Sequence, residues 1–261
     1  MVPQYTSPNA NSPPTSLSDR LLLAVPKKGR LQSATLSLLE GSDIQFRRET
    51  RLDIALVKNL PLALVFLPAA DIPTFVGEGR VDLGITGRDQ VGEHDARIKR
   101  ARRERERYRA GSVGATPPNV NMTPTTTKEG EGQAAVEALG TQLGMQDGIL
   151  LPERNGDERN EGVEEIMDLG FGKCRLEVQV PERGPFNTPA DLVGRNVSTS
   201  FTGLAEEYFE NLEGQTEAGK TGDGAIQRSG KMRTKVKFVG GSVEAACALG
   251  VADGIVDLVG T

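Results

Sequence analysis

Three stretches of this chain lack the apolar residues needed to join a hydrophobic core, and they decide how much of it can fold. Residues 1–18 (MVPQYTSPNANSPPTSLS) are rich in Pro, Ser and Asn. Residues 94–163 are first charged and then rich in Thr, Pro and Gly, and residues 214–231 carry five glycines and hardly any apolar side chain. Such compositions bury too little apolar surface to offset the entropy of ordering. Of 261 residues, roughly 150 remain, enough for one compact domain or two small lobes. The expected organisation is a disordered tail at 1–18, an α/β lobe at 19–93 without its return segment, an insert at 94–163, and a second α/β lobe at 164–261 that carries the loop insert 214–231.

The foldable blocks alternate between two periods. LLLAV (21–25) and LALVFLP (62–68) are short apolar runs closed by proline, the pattern of strands buried on both faces. Between them LQSATLSLLEG (31–41) places apolar residues on one helical face and stops at Gly41. AADIPTFVGEG (69–79) predicts a short helix with Pro73 in its first turn, and VDLGITG (81–87) a third strand. Strand, helix, strand, helix, strand spells parallel pairing. The second block predicts strands in CRLEVQVP (174–181), NVSTSF (196–201), TKVKFVGG (234–241) and the run from Ala252. Its helices are expected at 187–194 behind Thr188, at 204–214, and at 242–250 with Ser242 as cap and Gly250 as stop.

Composition removes several functions. A net charge of −5 argues against a protein that coats nucleic acid. RIKRARRERERYR (97–109) holds eight basic and two acidic residues, yet Tyr108 is its sole aromatic, so it reads as a solvated helix or insert rather than a nucleic-acid surface. His94 is the single histidine, which excludes a zinc site built from several. Cys174 and Cys247 fit no paired motif, the N-terminus lacks the basic start of a secretory signal, and no run has the length of a membrane span. A soluble protein of the reducing cytoplasm is expected.

One motif match is set aside. Residues 214–221 (GQTEAGKT) fit the phosphate-loop pattern GxxxxGK[ST], but a working loop of that kind follows a buried strand, and a charged helix precedes this one. Three other places have better context. Lys27, Lys28, Gly29 and Arg30 lie between a strand and a helix start, where cations suit a polyanion; the competing reading is a solvated turn. Asp71 opens a helix, either as ligand or as cap. Asp253 to Thr261 occupy a strand whose end is where α/β folds place ligands; the competing reading is strand-end polarity.

Together these blocks resemble the ATP phosphoribosyltransferases of histidine biosynthesis, most nearly the fungal form. The resemblance rests on LAVPKKGRL (23–31), ALVFLPAADIPTFVGEGRVDLGITGRDQV (63–91), DLGFGKCRLEVQVP (168–181), STSFTGLAEEYF (198–209) and GSVEAACALGVADGIVDLV (241–259). It implies a two-lobed α/β fold like the type II periplasmic binding proteins, with the substrate cleft between lobes. It implies transfer of the phosphoribosyl group from phosphoribosyl pyrophosphate to N1 of ATP, with Mg²⁺ on the pyrophosphate. Lys27, Gly29, Arg30, Arg51, Asp71, Thr86, Gly87 and Lys173 are then expected to bind ATP. Asp253, Asp257 and Glu244 are expected at the reaction centre, Asp257 and Thr261 on phosphoribosyl pyrophosphate, and Asp257 on the metal. A homo-oligomer without nucleic-acid or membrane partners is expected. Because the family's phosphate loop starts at Thr261, a truncated, impaired fragment is the alternative, and a non-catalytic solute-binding module of the two-lobe kind a lesser one.

Overall fold

The computed structural model of the chain describes residues 17–48, 53–111, 162–218 and 232–260. They divide into two units, one of residues 17–48, 53–91 and 162–172, the other of residues 92–111, 173–218 and 232–260. Residues 1–16 of the expected tail, most of the expected insert and residues 219–231 lie outside the described residues, while Leu17 is buried in a 3-10 turn, Leu17–Asp19.

In the first unit, β1 (Leu21–Pro26) leads to α1 (Arg30–Gly41), then β2 (Ile54–Leu56), β3 (Leu62–Leu67), α2 (Ile72–Gly77), β4 (Leu83–Gly84) and the first turn of α3 (Arg88–Gly111). The sheet order is β2-β3-β1-β4. β1 runs parallel to β3 and β4, as the alternation predicts, but β2 is antiparallel to β3, so the sheet is mixed rather than all parallel. Both faces of the central strands are covered. Val25, Leu64 and Phe66 pack with Leu39 of α1, while Ala24 and Val65 pack with Ile72 of α2. That double burial is why the strands read as unbroken apolar runs. The β2–β3 hairpin is closed from below by Arg20, whose guanidinium donates to the carbonyls of Val57 (2.9 Å), Leu60 (3.3 Å) and Leu62 (3.0 Å).

The second unit holds most of α3, β5 (Arg175–Gln179), a 3-10 turn (Pro189–Leu192), β6 (Asn196–Thr199), α4 (Thr202–Ala218), β7 (Lys235–Phe238), α5 (Ala245–Ala248) and β8 (Gly254–Val259). Its order, β5-β8-β6-β7, repeats the first sheet's pattern: one antiparallel edge strand beside three parallel ones. Leu192, Val197, Ala205, Phe209 and Val256 fill one face, and Val243, Ala246, Ala252 and Ile255 the other. The helix expected over 242–250 is only one turn, starting after Glu244 rather than at Ser242.

The largest difference from expectation is the arginine-rich stretch. It continues α3, and its cations are partly spent inside the fold. Arg97 pairs with Glu93 (2.8 Å), Arg100 with Glu104 (3.0 Å) and Glu206, and Arg103 with Glu210 (3.4 Å). Glu93, His94 and Ala96 are buried. The Glu93 carboxylate accepts the backbone N–H of Gly203 (2.9 Å) and of Leu204 (3.0 Å), so a side chain of α3 caps the start of α4. A Cβ on Gly203 would lie 3.0 Å from the Ala96 Cβ, so only glycine permits the helices to approach this closely. With that cap α4 starts at Thr202, and it runs past Gly214 to Ala218, so the set-aside phosphate-loop match begins inside a helix.

A second buried carboxylate makes stability depend on acid. Glu213 of α4 accepts the N–H of Arg233 (2.9 Å) and of Thr234 (2.8 Å) and the Thr234 hydroxyl (2.6 Å). Burial pushes its carboxyl up, but these bonds and the Arg233 charge outweigh burial and hold it below the ordinary value. A group lowered in the folded state stabilises above its unfolded pKa, about 4.3, and that stability is lost as pH falls through the folded value. Urea unfolding from about pH 7 down to about pH 3 is expected to show it. Glu213→Gln should lower stability by about 1–2 kcal/mol at neutral pH and flatten the acid limb; an unchanged limb contradicts the assignment.

Candidate active site

In the first unit the carboxyl ends of β1, β3 and β4 open into three loops, and nearly every expected ATP residue of this unit lies on them. β1 is followed by Lys27, Lys28 and Gly29, with Arg30 as the first residue of α1. β3 is followed by Asp71 at the N-cap of α2, and β4 by Thr86 and Gly87 before α3. Ligands of open α/β sheets bind at this edge.

Gly29 sits at φ 88°, ψ −174° as the N-cap of α1 and has no side chain with which to cap it. That backbone is in the region open essentially to glycine. It leads into the start of α1 beside Lys27, Lys28 and Arg30, and a helix N-terminus with cations beside it suits an anion. Lys27 is held by Asp53, its Nζ 2.8 Å from one carboxylate oxygen, and its carbonyl accepts Gln32 Nε2 at 2.7 Å. The Thr86 hydroxyl donates to the Ala69 carbonyl (2.8 Å), tying the β4 loop to the β3 loop. Asp71 is the N-cap residue of α2 and makes no side-chain cap bond to it. Arg51 lies outside the described residues.

Beside these loops the strap 162–172 is fastened by Arg88. Its guanidinium donates through Nε to Glu165 (2.7 Å) and lies 3.3 Å from Asp168. The Arg88 bond is the main reason that Glu165 stays below the ordinary carboxyl range.

In the second unit the expected residues separate. Asp257 is in the carboxyl half of β8, half-buried, with its Oδ1 accepting the N–H of Leu258 at 2.8 Å. Glu244, exposed, follows β7 at the same edge, and Lys173 precedes β5, whose Arg175 is paired with Val259 at the end of β8. Asp253 is different. It precedes Gly254, the first residue of β8, and so lies at the amino end of that strand, away from the loop edge expected for it. Its carboxylate accepts the Asn196 backbone N–H (3.0 Å), and its charge, after burial, helps to raise the Cys247 thiol. That is a strand-tying role, and it corrects the grouping of Asp253 with Asp257. Thr261 lies outside the described residues.

Sequence reasoning did not single out Asp53, Asp89 or Glu177. Glu177 stands directly opposite Asp257 in the antiparallel β5–β8 pair, which sets the two side chains about 5 Å apart at Cβ. Among the described residues no group of three or more His, Cys, Asp or Glu is gathered for a metal. Two carboxylates are nonetheless the donor set that Mg²⁺ accepts when substrate phosphates complete its shell.

The folded parts therefore define an α/β protein of two mixed-sheet units, with a cationic, glycine-turned edge on one and a carboxylate pair on the other. Residues 68–119 and 135–261 match the family model of HisG, ATP phosphoribosyltransferase. The chain belongs to the ATP phosphoribosyltransferase family. It is 47% identical to the ATP phosphoribosyltransferase of Yarrowia lipolytica over 94% of its own length and 56% of that relative's. It is 43% identical to that of Saccharomyces cerevisiae over 93% of this chain and 56% of the relative. The chain thus spans little more than half the length of these relatives. Among solved structures, the ATP phosphoribosyl transferase (HisG:HisZ) complex from Thermotoga maritima overlaps 92% of this chain and 75% of its own at 18% identity and a TM-score of 0.47. Among the described residues no helix is long and apolar enough to cross a membrane.

Proposed function

We propose that this chain transfers the 5-phosphoribosyl group of phosphoribosyl pyrophosphate to N1 of ATP, releasing pyrophosphate, the first step of histidine biosynthesis. The observation that carries this reading is the gathering of Lys27, Gly29, Arg30, Asp71, Thr86 and Gly87 on one sheet edge, in a chain of this family. N1 carries its own lone pair, so no activating base is needed. The N1–C1 bond forms, the C1–O bond breaks, and its electron pair leaves with pyrophosphate. What the protein must supply is position and charge. Lys27, Arg30 and Arg51 offset the triphosphate, and the α1 amides beyond Gly29 receive phosphate oxygens. Asp257, with Thr261, holds the phosphoribosyl donor, while Lys173 and Glu244 stand at the same strand edge. Mg²⁺ would be held by Asp257 with Glu177 beside it, and would neutralise pyrophosphate charge. A cytoplasmic homo-oligomer belongs to the same reading.

The test is direct. The purified chain is incubated with ATP and phosphoribosyl pyrophosphate, and N1-phosphoribosyl-ATP and pyrophosphate are quantified. Product that requires both substrates is expected. Tight binding of both with no product favours an impaired fragment, and no binding of either overturns the reading.

A further inference from the structure

Arg30 and Asp89 form an ion pair that bridges two of the three loops at the cationic edge. The Arg30 side chain is 29% exposed, that of Asp89 only 10%, and they stand 3.9 Å apart. Asp89 is itself fixed from several sides. It lies in the first turn of α3, where the helix dipole favours its charge. Its Oδ2 accepts Gln90 Nε2 at 2.7 Å. Its other oxygen fills the space that a Cβ on Gly87 would take, so the glycine before α3 makes room for this carboxylate. The result is a largely buried, preset anion aimed at the guanidinium that opens α1.

We propose that Asp89 is a positioning residue, which sets the Arg30 guanidinium across the α1 N-terminus so that it receives the triphosphate of ATP already oriented. The inference rests on the reading of this edge as the ATP site. An arginine loses much side-chain freedom when it grips a phosphate, and a fixed partner removes part of that loss beforehand. The two roles open to a carboxylate here differ in sign. As a bystander, Asp89 repels a polyanion, and removing its charge must tighten binding. As a positioning residue, its removal must weaken binding, and only through Arg30.

Calorimetric titration of the full chain with ATP and, separately, with inorganic tripolyphosphate decides between them. Asp89→Asn is expected to weaken both ligands about fivefold, the scale of one charge-assisted contact, with little change in unfolding temperature. In an Arg30→Met background the same substitution is expected to bring no further weakening. Should Asp89→Asn not fold, Asp89→Ser keeps a residue suited to a helix start and serves in its place. Unchanged or tighter binding, or the same weakening in both backgrounds, overturns the proposal. A wild-type chain that takes tripolyphosphate but not ATP sinks the ATP reading alone, and one that takes neither sinks both.

Discussion

Replacing Glu93 with leucine is expected to lower the stability of the second unit by about 2–4 kcal/mol, mostly the cost of leaving two helix-start amides without their acceptor. The Glu93 side chain is 6% exposed and serves two structures at once. It takes the amides of Gly203 and Leu204, and it neutralises Arg97 at 2.8 Å. Leucine strands those amides at the start of α4 and leaves Arg97 without this carboxylate. Glutamine keeps an acceptor for the amides and loses the charge, so about half the effect is expected from it. In thermal unfolding the leucine variant should fall by roughly 10 °C, at a few degrees per kcal/mol for a chain of this size. A leucine variant within about 0.5 kcal/mol of wild type would show that water reaches this cap.

The same residue marks the limit of what the sequence discloses. Strands such as 21–25 and 62–68 were legible because burial on both faces leaves an unbroken apolar run between prolines. The helix at 31–41 was legible from its single apolar face. β2 was not, because Ile54–Leu56 is too short to show a period and gains its place only by pairing with β3. The arginine-rich run misled for a different reason. A charge run on an isolated helix looks solvated, and nothing local reveals that Glu206 and Glu210, a hundred residues on, will meet it. At the candidate site the cationic turn and the helix starts followed from residue type and position alone. The Asp253 placement failed because spacing along a strand does not say which end of it faces the loops. Register does, and register also reveals Glu177 beside Asp257.

Gly29→Val is expected to abolish useful ATP binding while leaving the fold in place. Nothing lies within 4 Å of a Cβ built on Gly29, so the added side chain meets no neighbour. The cost is torsional: φ 88° with ψ −174° is closed to a β-branched residue and carries a penalty of about 3 kcal/mol. The backbone can relieve it only by rotating the peptides on either side. Rotation re-aims the Arg30 amide, and it disturbs the Lys27 carbonyl that now accepts Gln32 Nε2 at 2.7 Å. Both cations that flank the turn shift with it. Since the amides and cations act together on one polyphosphate, ATP affinity should fall at least thirtyfold, about 2 kcal/mol, with circular dichroism unchanged. Asparagine, which tolerates the left-handed helical region but not this one, should rescue little. Gly41→Ala, at the far end of the same helix and facing open space, is the matched control and should bind ATP as wild type does. If Gly29→Val keeps its ATP affinity, the α1 N-terminus is not where the triphosphate rests, and the cationic turn is a solvated one.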